Sequence, residues 1–198
     1  NGLALCGLLS RVSRLEVFGV EMDKRAADLC KRNIDLNMFK ASIFNISITN
    51  TVRELKSVSF DHVFMNPPYF KKNSVKKSNT LSSHQAKVES MPLSAWVSVA
   101  KNRCKPNGKI TIIQRVERLP DIIKCLNGYF GQVTVQPISS FKDTSPKTVI
   151  VQATKTSGAA FKLLAPKIVH RRDGISGKVV YEDEFKKILR YGHPLQLN

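Results

Sequence analysis

At 198 residues with 42% hydrophobic content, the chain reads as one globular domain with a core of its own. Its 32 Lys and Arg outnumber 15 Asp and Glu for a formal charge of +17, a field that attracts polyanions and nucleic acid above all. The absence of an 18-residue apolar run and of a signal peptide argues against a membrane-spanning or secreted protein.

Taken in chain order, helical and strand patterns alternate. A small apolar helix is expected over Leu3 to Ser10, then a strand from Leu15 that ends at Glu21. Lys24 to Leu36 places Ala27, Cys30 and Ile34 at helical spacing. Ser42 to Ile48 and Phe60 to Met65 read as strands, and Leu93 to Cys104 as a helix carrying the single tryptophan, Trp96. Pro106-Asn107-Gly108 reads as a turn feeding a strand over Lys109 to Ile113. A helix over Leu119 to Leu126 has Pro120 in its first turn, and strands follow at Val133 to Val135 and Lys147 to Thr154. The tail holds an apolar stretch, Phe161 to His170, and a helix from Glu182 to Arg190. Alternation of this kind predicts an α/β fold with a mostly parallel sheet covered by helices. The last two strands lack a helix-length connection and are expected to pair antiparallel at the edge. Cys6, Cys30, Cys104 and Cys125 lie far apart with no metal-ligand spacing, and the four histidines are scattered. The expectation is reduced core thiols, a cytoplasmic setting and no metal.

The segment Asn66-Pro67-Pro68-Tyr69 closes the Phe60 to Met65 strand. Two successive prolines stop both ladder pairing and helix, so the backbone leaves the sheet as a stiff loop. That loop offers an amide, the Pro67 carbonyl and an aromatic ring. A planar aromatic amine needs those groups: two acceptors for its N–H bonds and a surface to stack on. The alternative is a turn in which Asn66 caps backbone. Lys71 to Ser90 follows as a long polar loop with Lys71, Lys72, Lys76 and Lys77, expected to form a basic lip over the site.

Several stretches resemble the class I, S-adenosylmethionine-dependent methyltransferases that carry an Asn-Pro-Pro-Tyr motif. Within that group the chain is most similar to the bacterial tRNA (adenine-N6)-methyltransferases that modify tRNA for valine. The stretches are Glu21-Met22-Asp23, Asn66 to Phe70, Ala86 to Glu89, Leu93 to Trp96 and Cys104 to Lys109. Gln114 to Pro120 and the tail from Val169-His170-Arg171-Arg172-Asp173-Gly174 through Tyr181 to Arg190 are the most specific.

The resemblance implies a Rossmann-like, mostly parallel seven-stranded sheet with an antiparallel edge pair. It also implies a methyltransferase core over residues 1–157 and a C-terminal extension over 158–198. The family's first strand and glycine-rich loop should precede Gly2, so the chain is expected to be incomplete. S-adenosylmethionine is the implied cofactor, held by Gly2, Glu21 (on the ribose), Met22 and Asn66. The usual acid after the third strand is absent, which leaves Asn45 and Ser47 as candidates for its adenine. Asn66, Pro67, Pro68 and Tyr69 are the implied catalytic set. Phe70, Lys71, Lys72, Lys76, Lys77, Arg171 and Arg172 are the implied contacts to tRNA or another structured RNA. Rival readings are an rRNA methylase, a protein-glutamine methylase or a non-catalytic RNA-binding module; the oligomeric state stays open.

Overall fold

The computed structural model describes residues 2–48, 55–68 and 91–197. The chain forms two compact units, Asn1–Val58 and Ser59–Asn198.

In the first unit, helix α1 (Leu3–Leu9) precedes strand β1 (Phe18–Val20), helix α2 (Lys24–Leu36) and strand β2 (Ser42–Phe44). The Asp23 carboxylate caps α2 by accepting from the Ala26 N–H at 2.9 Å, satisfying a donor that the first turn leaves orphaned. The apolar stripe read from the sequence is the buried face: Ala27, Cys30 and Ile34. β1 and β2 pair in parallel, Phe18 opposite Ser42 and Val20 opposite Phe44, with the Phe18 and Phe44 rings stacked at 6.2 Å. Both strands are shorter than the sequence pattern predicts. Arg14, at φ 62°, turns the chain just before β1, and hydrophobic residues outside the paired stretch, such as Leu15, stay exposed.

The second unit is built on a mixed sheet. Strand β3 (Phe60–Met65) lies parallel to β4 (Cys104–Arg115). Strand β6 (Thr148–Lys155) lies between β4 and β5 (Phe130–Ser139), antiparallel to both. The expected antiparallel pair therefore forms, but β5 is not its outer edge. Two-residue strands β7 (Lys162–Leu163) and β8 (Lys167–Ile168) add to β5 in parallel. Helices α3 (Leu93–Arg103) and α4 (Leu119–Leu126) supply Leu93, Val97, Ala100, Ile122 and Leu126 to a core completed by Ile110, Ile112, Val135, Val149 and Val151. Each of these valine, leucine and isoleucine side chains contributes about 1.5–3 kcal/mol of apolar burial. Among the described residues no helix is long and apolar enough to cross a membrane. The four cysteines are free, Cys30 and Cys104 buried.

The turn expected at Pro106-Asn107-Gly108 lies inside β4 instead. Phe60 pairs with Cys104 and His62 with Lys109, so β4 carries extra residues that bulge out between the two pairs. Asn107, at φ 59°, makes that reversal, and a Cβ on Gly108 would meet Cys104 Sγ at 2.7 Å and the Lys105 carbonyl oxygen at 2.9 Å. The proline and glycine were read correctly as a break, but the chain resumes the same strand beyond it.

The tail folds as an antiparallel hairpin, β9 (His170–Arg172) with β10 (Val179–Tyr181), followed by helix α5 (Asp183–Tyr191). Gly192, at φ 71°, ends α5 in the left-handed conformation that favours glycine.

Candidate active site

β3 delivers the proline loop to the end of the sheet. Met65 pairs with Ile112 of β4, and a continued ladder would set Pro67 opposite Gln114. Neither proline has an N–H, so no ladder can form there. The Gln114 side chain takes over: its Nε2 donates to the Pro67 and Pro68 carbonyl oxygens, each at 3.2 Å. Its Oε1 accepts from the Arg115 N–H at 2.9 Å. Gln114 is 0% exposed, so a buried amide with every polar atom engaged fixes the loop backbone. Pro67 is buried, while Asn66 stands exposed at the strand end. Among the described residues the Asn66 side chain caps no backbone group. Pro67 keeps a second lone pair on its carbonyl.

The neighbours of this loop are structural. Lys105, from the bulge of β4, donates to both carboxylate oxygens of Asp61 at 2.9 Å, and this bond holds the Asp61 carboxyl below its usual range. His62 Nε2 meets Thr111 Oγ1 at 2.8 Å, while Gln152 Nε2 donates to the same hydroxyl oxygen at 3.2 Å. With Gln152 donating to it, the Thr111 hydroxyl still has a lone pair and its own proton to offer the His62 ring. His62 is exposed as a residue, yet desolvation of its ring, aided by the Lys109 charge, lowers its pKa.

In the first unit, Glu21 and Asn45 meet at the carboxyl ends of β1 and β2. Asn45 Nδ2 donates to the Glu21 and Met22 carbonyls at 2.9 and 3.0 Å, which leaves its Oδ1 as an acceptor. The Glu21 Oε1 accepts from the Asp23 N–H at 3.0 Å. That bond aims the carboxylate and leaves the second oxygen open to a donor. Acceptors at the ends of parallel strands suit the ribose diol and exocyclic amine of an adenosyl group, so these residues fit the cofactor implied by the sequence. Gly2 has a packing reason for its identity: at φ 75° it heads α1, and a Cβ there would lie 2.5 Å from Cys30 Sγ. Met22 is 62% exposed, and Ser47 is half-buried.

Tyr69, Phe70, Lys71, Lys72, Lys76 and Lys77 lie outside the described residues. Arg171 and Arg172 sit on β9 in the tail hairpin.

The sequence profile of the N-6 DNA methylase family matches residues 9–119, more than half of the chain and a span holding Glu21, Asn45, Asn66 and Gln114. The chain belongs to the N-6 DNA methylase family. Among curated relatives of this family member is a tRNA1(Val) (adenine(37)-N6)-methyltransferase of Porphyromonas gingivalis, 28% identical over 128 residues, 62% of this chain and 49% of the relative. The chain thus spans about half the length of the curated relatives it matches. A predicted O-methyltransferase of Agrobacterium tumefaciens superposes with a TM-score of 0.74 at 20% identity, covering 94% of this chain and 83% of its own. An S-adenosylmethionine-dependent O-methyltransferase of Thermotoga maritima gives a TM-score of 0.57 at 16% identity, over 81% of this chain and 58% of its own. At those identities the likeness is one of fold: the Rossmann-like α/β fold of S-adenosylmethionine-dependent methyltransferases.

For this N-6 DNA methylase family member, the residue that sequence reasoning left without a role is Gln114. The signal was present in the alternation Ile110, Ile112, Gln114, which puts a polar side chain on the buried register of a strand.

Proposed function

We propose that the chain carries an N-methyltransferase that moves a methyl group from S-adenosylmethionine to the exocyclic amine of an adenine in tRNA. The observation that carries this reading is the proline loop: an exposed amide followed by a carbonyl that a buried glutamine holds in place. The family match and the printed activity of the Porphyromonas gingivalis relative support the same substrate chemistry. A tRNA substrate would set the chain in the cytoplasm.

The lone pair of adenine's exocyclic amine is delocalised into the ring and is a poor nucleophile. Asn66 Oδ1 and the Pro67 carbonyl would accept its two protons and favour a more tetrahedral nitrogen, its lone pair turned out of the ring plane. Tyr69, with Phe70 beside it, would stack the base once it has left its own stack. No tuned general base is required, because the amine becomes acidic as the new bond forms; positioning carries most of the rate. Asp61 is engaged by Lys105 and is not the base. Glu21 would hold the ribose of the cofactor, with Asn45 Oδ1 or Ser47 at its adenine and Gly2 and Met22 nearby. When bound, the cofactor supplies an electrophilic methyl on a sulfonium. Lys71, Lys72, Lys76 and Lys77, with Arg171 and Arg172, would hold phosphates and position the RNA without reading its sequence.

The test is Asn66→Ala assayed for methylation of unmodified tRNA, with cofactor binding measured beside it. Turnover should fall by about 100-fold or more while the cofactor still binds, since the lost bond matters most as the amine pyramidalises. Near-normal methylation by Asn66→Ala would rule out amine activation by this loop.

A further inference from the structure

The tail builds a polar groove of which the methyl-transfer reading uses only Arg171. β9 and β10 are a short hairpin whose turn is fixed from within. Asp173 Oδ1 accepts from the Ile175 N–H at 3.0 Å, the Ser176 N–H at 2.6 Å and the Ser176 hydroxyl at 2.9 Å. Those bonds hold its carboxyl below the usual range. The hairpin is anchored at its base as well: the His170 N–H donates to the Ser140 carbonyl and the Glu182 N–H to the Val169 carbonyl, both at 2.9 Å. His170 touches two rings, Phe141 at 5.7 Å and Tyr181, stacked, at 5.0 Å. One face of Tyr181 is therefore backed by an imidazole while the residue stays 38% exposed.

The hairpin and α5 flank a groove of about 610 Å³, whose polar lining is His170, Arg171, Tyr181, Lys186 and Arg190 together with Asp173 and Asp183. Lys186 and Arg190 are one helical turn apart and so share a face of α5, and neither has an ion-pair partner among the described residues. Of the acids nearby, Asp173 is engaged in the turn, Glu182 lies 3.8 Å from Arg171, and Asp183 stands in the first turn of α5. A rigid aromatic ring beside cations, two of which have no ion-pair partner among the described residues, is the arrangement that takes an unpaired nucleotide: the ring stacks the base and the cations hold the flanking phosphates.

We propose that this groove is a second RNA-holding site, in which Tyr181 stacks an unpaired base and Arg171, Lys186 and Arg190 hold its phosphates. The inference rests on RNA being the substrate, as proposed above, and adds where a further part of that RNA is held. It also distinguishes a built site from the diffuse attraction of a +17 chain.

The experiment is binding of unmodified tRNA to the chain by fluorescence anisotropy over a series of salt concentrations. Lys186→Ala/Arg190→Ala is compared with Lys124→Ala/Lys187→Ala, which removes the same charge from exposed positions outside the groove lining. The groove variant should flatten the dependence of log affinity on log salt by about 1.5, since each lost phosphate contact takes about 0.7–0.9 from the slope. The control should change it by much less. Tyr181→Ala should weaken binding about tenfold or more with the slope unchanged, and Tyr181→Phe should restore it, because stacking needs the ring and not the hydroxyl. Equal effects of the two double variants, or an unchanged affinity in Tyr181→Ala, would overturn the site. Asn66→Ala should keep the parent's salt slope, because it removes no phosphate contact. Loss of the methylation reading alone would therefore show in turnover, and loss of the groove alone in the salt slope.

Discussion

Replacing Gln114 with methionine keeps the length and approximate volume of the side chain and removes both of its hydrogen-bonding functions. Three partners lose their bonds: the carbonyls of Pro67 and Pro68, each at 3.2 Å, and the Arg115 N–H at 2.9 Å. The bond to Pro67 is fully buried and the other two are partly so. A buried group left without its partner costs about 1–3 kcal/mol; water can reach the other two in part, so the sum is about 2–4 kcal/mol. The methionine's own burial offsets about 1 kcal/mol of that. Urea unfolding should therefore show Gln114→Met less stable by about 1–3 kcal/mol. Stability alone would not separate a positioning residue from an ordinary core residue. Val135→Ala, a fully buried site in strand β5, which β6 separates from β4, should cost a similar amount, about 2 kcal/mol, without touching Gln114 or the loop. At a temperature where both variants are folded, Gln114→Met should lose at least tenfold in kcat for tRNA methylation with little change in KM, and Val135→Ala should lose almost nothing. A loop held less tightly misplaces the Pro67 carbonyl, and small misplacements of a positioned group cost orders of magnitude in rate. Equal kcat values in the two variants would refute the positioning role and leave Gln114 as a core residue only.

Glu21→Ala should weaken S-adenosylmethionine binding by about 10- to 100-fold, from the loss of charge-assisted bonds to the ribose, with folding nearly intact; unchanged affinity by calorimetry would remove Glu21 from the cofactor site. His62 should titrate below the ordinary imidazole value of 6.5, because its folded environment favours the neutral ring. Its contribution to stability is then complete above about pH 6.5 and is lost as the pH falls through the folded value. Proton NMR of the His62 ring checks this, and a midpoint at or above 6.5 would contradict it.

Much of the fold was legible in the sequence because local signals agreed. α2 and α4 begin and end where the spacing of apolar residues and the early Asp23 and Pro120 put them, and β3 runs over the residues read as a strand. Where the reading erred, a long-range contact had overruled a local one. Pro106-Asn107-Gly108 is a sound turn signal, yet β3 pairs with both Cys104 and Lys109 and so carries the strand expected from Lys109 back through a bulge to Cys104. Leu163 and Ile168 pair on the edge of β5 as strands of two residues, too short to leave a periodic pattern. At the candidate site, Asn66 and Glu21 could be singled out because they stand at strand ends, where the structure also places them. Asn45, with Ser47, was a candidate for the cofactor's adenine on its place after the third strand and its accepting amide. That its Nδ2 first ties Glu21 and Met22 together depends on the parallel register of β1 and β2, which no local pattern encodes.

The dependence of the proline loop on Gln114 follows from the motif itself. Two adjacent prolines make a loop stiff by removing backbone freedom, but they also remove the N–H groups through which a neighbouring strand would grip it. Their carbonyls still need donors if the loop is to stay against the sheet without unsatisfied polar groups. The residue opposite must therefore donate twice from a buried position on β4 and carry no charge into an apolar core. Lysine and arginine would bring a charge that burial penalises, and serine or threonine has a single proton to give. Asparagine has the right donors but is shorter by one methylene, and it could not span from the β4 backbone to both oxygens as glutamine does. The amide that would activate the substrate and the amide that holds the loop are thus parts of one arrangement: Asn66 exposed at the strand end, Gln114 buried and directed at the backbone. Gln114→Asn should on this reasoning recover one of the two bonds, and its kcat should lie between those of the parent and Gln114→Met.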